Sequence, residues 1–258
     1  MPNFAANLSM MFTEHDFLDR FEAASKAGFK AVEFLFPYDF TPEEISGKLK
    51  ANGLSQALFN LPPGDWAAGD RGFAAVPGKE AVFEAALEKA LDYAEVIGNE
   101  RIHVMSGVMP GGADKAACHG TLIANLKRAA PIAAARGKTL IVEPINPRDI
   151  PRYALNSQWE GRRVVETVGA PNVGLQFDFY HCQIVDGDLA KTFEAMLDIT
   201  RHVQIAGVPD RHEPDIGEIN YPYLFDLIDA SGYTGWVGCE YRPKAGTLEG
   251  LGWIKGRL

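Results

Sequence analysis

The chain is expected to fold as a single α/β domain, a closed (β/α)8 or TIM barrel covering residues 1–258. Three observations predict this. Eight short β-rich runs alternate with helical segments from end to end, as repeated βα units around a parallel sheet require. The helix starts and stops between them are chemically explicit. No Pro/Ser-rich linker or low-complexity run interrupts the alternation, so no inter-domain boundary appears.

The runs, in order, are Phe4 to Ser9, Ala31 to Phe36, Ser55 to Asn60, Arg101 to Met105, Thr139 to Glu143, Val173 to Asp178, His202 to Ala206 and Trp236 to Glu240. Thr41, Pro42 and Glu44 open the helix after the second run: threonine caps, proline takes the first helical position and glutamate completes a capping box. Gly28, Gly53, Gly98, Gly137 and Gly232 each follow a helical stretch shortly before a strand, where a left-handed residue ends a helix. The long connection from Leu61 to Gly78, LPPGDWAAGDRGFAAVPG, is too long and too Gly-rich for a plain connector and is expected to be functional.

A chain of 258 residues that is 47% hydrophobic can bury a sizeable core. Its formal charge of −9 opposes non-specific contact with nucleic acid or an anionic membrane, and no dense Lys/Arg cluster offsets it. Neither partner is expected. Cys118, Cys182 and Cys239 are an odd number without CxxC spacing, which suits reduced thiols rather than a disulfide framework or thiolate metal site. No basic-then-apolar leader stands at the N-terminus, and no apolar run approaches the ~20 residues that span a bilayer. A cytoplasmic location is the expectation.

In TLIVEPIN, residues 139–146, an apolar run fit for a buried strand ends in an acid, Glu143. The pattern recurs. VGLQFD ends in Asp178, WVGCE ends in Glu240, and HVQIA carries Gln204 among apolar neighbours. A lone strand-end acid reads as a solvated terminus, but four polar positions on successive strands meet at one mouth when a barrel closes, where barrel enzymes place their chemistry. Three carboxylates converging without a cation repel one another, so their shared location implies a bound metal. An all-oxygen set of three carboxylates and one amide favours one hard divalent ion, Mg²⁺ or Mn²⁺, over Zn²⁺.

Other polar residues fall near the same mouth. His181, three residues beyond Asp178, is placed to hydrogen-bond a substrate hydroxyl or orient a ligand, with an ordinary loop histidine as the alternative. Arg211, in PDRHEPD after the seventh strand, can clamp a carboxylate with two parallel hydrogen bonds or simply bridge surface charge. Trp66 and Arg71 belong to the glycine-rich loop and either close over a ligand or, for the tryptophan, pack against a second subunit, so a homo-oligomer is also an expectation. His103, inside the fourth strand, reads as a core histidine. Cys182 beside His181 reads as a structural thiol rather than half of a dyad.

With these residues in view, the chain resembles the hydroxypyruvate isomerase family of the xylose-isomerase-like barrels, in particular its 2-oxotetronate isomerase branch. The resemblance runs through FAANLSMMF, VEFLFPYDF, LPPGDWAAGDRG, VEPIN, QFDFYH, HVQIAGVPDRHEPDIGEINYPYLF and GWVGCEYRP. It implies that Glu143 and Glu240 are the paired proton donor and acceptor, and that with Asp178 and Gln204 they ligate the metal. It further implies a small 2-oxo acid substrate whose carbonyl is shifted to the neighbouring carbon through an enediolate, either hydroxypyruvate or a four-carbon 2-oxotetronate. Two other activities compete. A ketose 3-epimerase differs by its product. A nuclease of the AP-endonuclease kind shares the DRHE…IG string, Asp210 to Glu213 with Ile216 and Gly217, but needs a histidine-rich zinc cluster that a chain with six histidines and a charge of −9 supports poorly.

Overall fold

The computed structural model describes residues 1–256. Eight parallel strands close on themselves in sequence order: β1 (Asn3–Asn7), β2 (Ala31–Glu33), β3 (Ser55–Asn60), β4 (Arg101–His103), β5 (Thr139–Val142), β6 (Val173–Asp178), β7 (Thr200–Ile205) and β8 (Trp236–Cys239). Pairing of β1 with β8, Asn3 opposite Trp236 through Ala6 opposite Cys239, completes the barrel. Each expected strand is present. Most of them stop earlier than the apolar runs suggest, so Glu143 and Glu240 lie one residue beyond β5 and β8, the Glu240 N–H still donating to the Ile205 carbonyl of β7 at 3.1 Å.

The helices that cover the barrel follow the local chemistry. The helix Pro42–Ala51 begins with the full capping box: Thr41 accepts from the Glu44 N–H, and the Glu44 carboxylate accepts from the Thr41 N–H at 2.8 Å. The 18-residue helix Glu80–Ile97 ends at Gly98 in the left-handed region, φ 72°. Apolar faces of these helices and of Lys115–Ala135, Gln158–Val168 and Tyr221–Ala230 pack against the outside of the sheet in one continuous core. Among the described residues no helix is long and apolar enough to cross a membrane. All three cysteines are buried and unpaired as disulfides, and burial pushes the Cys182 thiol further from ionisation, in keeping with a structural role.

Inside the barrel the packing is different. Residues two apart on a strand share a face, so Asn7 and Glu33 point inward above Ala5 and Ala31, which form a separate small cluster with Ala57. Small side chains in that layer leave room for long polar ones above. Glu33, 1% exposed, uses the room: its Oε1 accepts from Asn7 Nδ2 at 2.9 Å and Gln204 Nε2 at 2.8 Å, while Oε2 lies 2.6 Å from His202 Nε2. Gly238 faces this carboxylate, and a Cβ there would fall 2.2 Å from Oε2.

Candidate active site

Closure of the barrel brings Glu143, Asp178 and Glu240 together. With His181 they form a buried cluster in which one ligand atom from each lies within 4.8 Å of the others. Each side chain is delivered by its strand end. Asp178, the last residue of β6, also caps the helix Phe179–Val185, its Oδ1 accepting from the Tyr180 N–H at 2.7 Å. That helix start carries His181 back over the mouth. Glu240 is held by Arg211, whose Nη2 donates to Oε2, and by Asn7, whose Nδ2 lies 3.4 Å from Oε1. Glu143 Oε1 and Asp178 Oδ2 are buried and have no hydrogen-bond partner among the described residues.

The acids bear the electrostatic mark of this crowding. Burial raises Glu143 well above the usual carboxylate range, and Glu240 and Asp178 push it further. Burial likewise lifts Glu240 to about 8 and Asp178 to about 6, in both cases against the pull of Arg211. Arg211 is the buried counter-charge: desolvation opposes its ionisation, but Glu240, Asp178, Glu143 and Asp149 overrule it and raise its pKa. It reaches Asp149 at 3.3 Å and Asp178 at 3.8 Å, and its guanidinium stacks 4.9 Å from the Tyr180 ring. The backbone of Arg211 sits at φ 59°, turning the side chain inward from the loop after β7.

Orphaned acid oxygens in a buried, acid-rich cluster are the feature a divalent cation would complete, and an oxygen-rich donor set fits a hard ion. Gln204 stands opposite Asp178 in the β6–β7 register. Its amide is turned toward the lumen network: Nε2 donates to Glu33, and Oε1 accepts from Gln176 Nε2 at 2.5 Å. Because a carboxylate only accepts, Glu33 fixes which end of that amide is oxygen.

His181, by contrast, is arranged as a donor. Asn146 Oδ1 accepts from the Asp149 N–H at 2.9 Å, so its Nδ2 is the end that meets His181 Nδ1 at 2.7 Å. Nδ1 is therefore an acceptor, and the ring proton sits on Nε2, 3.6 Å from Asp178 Oδ2 and 3.8 Å from Glu143 Oε1. Burial and the nearby Arg211 hold this imidazole well below its ordinary pKa, hence neutral.

A cavity of about 510 Å³ opens above the acids. Its wall divides by strand: Ser9, Leu35, Asn60, Trp66, Arg71 and His103 come from the β1–β4 side, and Glu143, His181, Arg211 and Glu240 from the β5–β8 side. The Leu61–Gly78 loop contributes as expected. Arg71 stacks on Trp66, 3.6 Å from the indole centroid, and its Nη1 donates to the carbonyls of Trp66 and Asp70 at 3.0 and 2.6 Å. Its Nε and second amino group have no partner among the described residues. Gly72 allows the loop to seat, since a Cβ there would lie 2.4 Å from the Met105 carbonyl, and its φ of 89° suits glycine alone.

Around the site, sequence reasoning does not single out Asn7, Glu33 or Asn146, and it places His103 in the core. The first three have no local signal, because each matters through a partner far away in the chain. His103, expected in the core, is 1% exposed yet lines the cavity, 3.7 Å from Glu143.

A closed parallel barrel with buried acids, a counter-charged arginine and a roofed cavity at its C-terminal mouth defines an enzyme-like acid–base site. Residues 21–257 match the family described as xylose isomerase-like TIM barrel. A 2-oxo-tetronate isomerase of Cupriavidus necator is 60% identical over 255 residues, 99% of this chain and 98% of that protein. A hydroxypyruvate isomerase of Escherichia coli is 45% identical over 254 residues, 98% of each chain. Among solved structures, a Brucella melitensis protein described as an AP endonuclease, family 2, superposes with TM-score 0.97 at 52% identity, covering 99% of this chain and 98% of that one. A 3-keto-D-glucoside 4-epimerase from E. coli shares the fold at TM-score 0.79 and 22% identity, with 99% of each chain covered. The chain belongs to the xylose isomerase-like TIM barrel family and, within it, to the hydroxypyruvate isomerase family.

Proposed function

We propose that the protein is a metal-dependent isomerase that moves the carbonyl of a small 2-oxo hydroxy acid to the adjacent carbon, 2-oxotetronate to 3-oxotetronate or hydroxypyruvate to tartronate semialdehyde. The observation that carries this reading is the pair Glu143 and Glu240, buried on two strands around one cavity with their pKa values pushed up. Carbonyl migration needs one group to take a proton from carbon and another to return one to its neighbour. Glu143 and Glu240, set on two strands around one cavity, supply one group for each of these transfers.

Glu143, Asp178 and Glu240 would hold a divalent ion, Mg²⁺ or Mn²⁺, with Gln204, whose amide oxygen here accepts from Gln176, as the fourth ligand; when bound, the ion supplies Lewis-acid stabilisation of charge on two adjacent substrate oxygens. The other steps belong to the chain. His181 presents its Nε2–H to a substrate hydroxyl. Arg71, held flat on Trp66, offers its Nε and second amino group to the substrate carboxylate as a bidentate pair. Arg211 lines the same cavity, but its charge is already engaged by Glu240, Asp178 and Asp149, so its first duty is to keep Glu240 oriented and ionisable. Trp66 roofs the cavity beside Phe36 and limits water.

The single acid–histidine cluster among the described residues supports one metal rather than the several of a zinc nuclease. The deciding experiment is product analysis by NMR with hydroxypyruvate and a 2-oxotetronate in D₂O. Carbonyl-shifted product carrying solvent deuterium supports the proposal; an epimer, or no turnover of either acid, overturns it.

A further inference from the structure

Three histidines line the interior and mouth of this barrel, and two have partners. His202 meets Glu33 at 2.6 Å, and His181 meets Asn146 at 2.7 Å. His103, the last residue of β4, has none: neither Nδ1 nor Nε2 has a hydrogen-bond partner among the described residues, although the ring is 1% exposed. Buried polar groups in native proteins are nearly always paired, because an unpaired one forfeits its hydration without return. His103 is also not sealed in the core. It forms part of the cavity wall with Glu143, His181 and Arg71.

Its nearest acid is Glu143, whose Oε2 lies 3.7 Å from Nδ1, too far for a hydrogen bond. A ligand atom in the cavity at this wall therefore meets the histidine and the glutamate together. We infer that His103 binds substrate directly, donating its ring N–H to an oxygen carried by the carbon pair on which Glu143 acts. This rests on the reading of Glu143 as a proton-transfer group. An N–H donor at this wall stabilises charge growing on a substrate oxygen while Glu143 moves the proton. An oxygen on those carbons is common to hydroxypyruvate and to the four-carbon acids, so His103 serves the reaction rather than the choice between them.

The test uses full-length enzyme, His103→Leu and His103→Gln, with Glu143→Gln as reference. Leucine removes an unpaired polar group, so His103→Leu should melt at or above the wild-type temperature while kcat/KM for hydroxypyruvate falls on the order of 100-fold. Glutamine keeps a donor and should recover about tenfold of that loss. Mn²⁺ affinity, titrated with the metal alone, should stay within about twofold, and hydroxypyruvate should bind about tenfold more weakly to Glu143→Gln/His103→Leu than to Glu143→Gln. Unchanged kcat/KM in His103→Leu overturns the inference, as does a lower melting temperature accompanying the activity loss or a parallel loss of Mn²⁺ affinity. Full activity in Glu143→Gln instead overturns the isomerase reading beneath it.

Discussion

Gly238→Ala puts the lumen network to a quantitative test. A Cβ at residue 238 would sit 2.2 Å from Glu33 Oε2, 2.4 Å from Oε1 and 2.5 Å from Cδ. An ordinary contact needs roughly 3.5 Å, so the carboxylate must retreat by about 1 Å or the strand must shift. The strand is paired on both sides, Gly238 opposite Ala5 and Gln204, and cannot move alone. Retreat stretches the bonds to Asn7, Gln204 and His202, now 2.9, 2.8 and 2.6 Å. Losing one or two buried bonds to a charged group costs about 2–4 kcal/mol, and overpacking adds about 1–2 kcal/mol. The sum, about 3–6 kcal/mol, lowers Tm by roughly 6–24 °C in a chain of this size. Circular dichroism melts of Gly238→Ala, Glu33→Ala and the double variant form the cycle. Because the clash needs both groups, Gly238→Ala should cost little in the Glu33→Ala background. A Tm within about 2 °C of wild type, or the same cost in both backgrounds, would refute the crossing of the barrel by Glu33.

The other expectations are more direct. Glu143→Gln and Glu240→Gln should each lower kcat by orders of magnitude at nearly unchanged circular dichroism, since volume is kept and the transferable charge is lost; near-wild-type turnover in either removes it from the pair. Chelation should abolish activity and Mg²⁺ or Mn²⁺ restore it, as steady-state assays after exhaustive EDTA dialysis will read. In metal-free protein, Glu240 and Asp178 have folded-state pKa values raised to about 8 and about 6, so the folded state binds the extra protons. Their contribution to stability is whole at low pH and is lost as pH climbs through that window; Tm should therefore fall between about pH 5 and pH 8.5, and saturating Mn²⁺ should flatten the decline. Arg71→Lys should raise KM for the acid with little change in Mn²⁺ affinity, because a lysine lacks the flat stacking and the paired donors. Arg211→Lys should disturb Glu240 as well and lower kcat; an unchanged KM in both variants would move the carboxylate contact elsewhere.

Much of the site is readable in one dimension because strand ends are local. An apolar run that stops at an acid can be seen in TLIVE, and barrel closure supplies the rest by topology. The loop carrying Trp66 and Arg71 is readable for a similar reason, its length and glycines exceeding what a connector needs. Glu33 is hidden inside VEFLF, where an acid near the end of a strand has no neighbour that explains it; its partners come from residues 7, 202 and 204 and its space from residue 238. His103 reads from sequence as a core histidine and is buried; that it also lines the cavity and lacks a partner is a property of three-dimensional surroundings that sequence does not carry. The detailed setting of His181 is out of reach too, since its ring proton is placed by Asn146, 35 residues away in sequence.

The division of the cavity wall by strand has a consequence for how such a barrel can change. The candidate acid–base pair and the acids that would hold a metal cluster on the β5–β8 side, whereas Ser9, Leu35, Asn60 and Trp66 on the other side carry none of that machinery. Mutations at these four positions can therefore reshape what the cavity admits while leaving the acid cluster, Arg71 and His103 intact. Combinatorial libraries confined to those four positions should yield variants with shifted preference among hydroxy acids at a far higher rate than libraries of equal size on the β5–β8 wall, where most members would be inert.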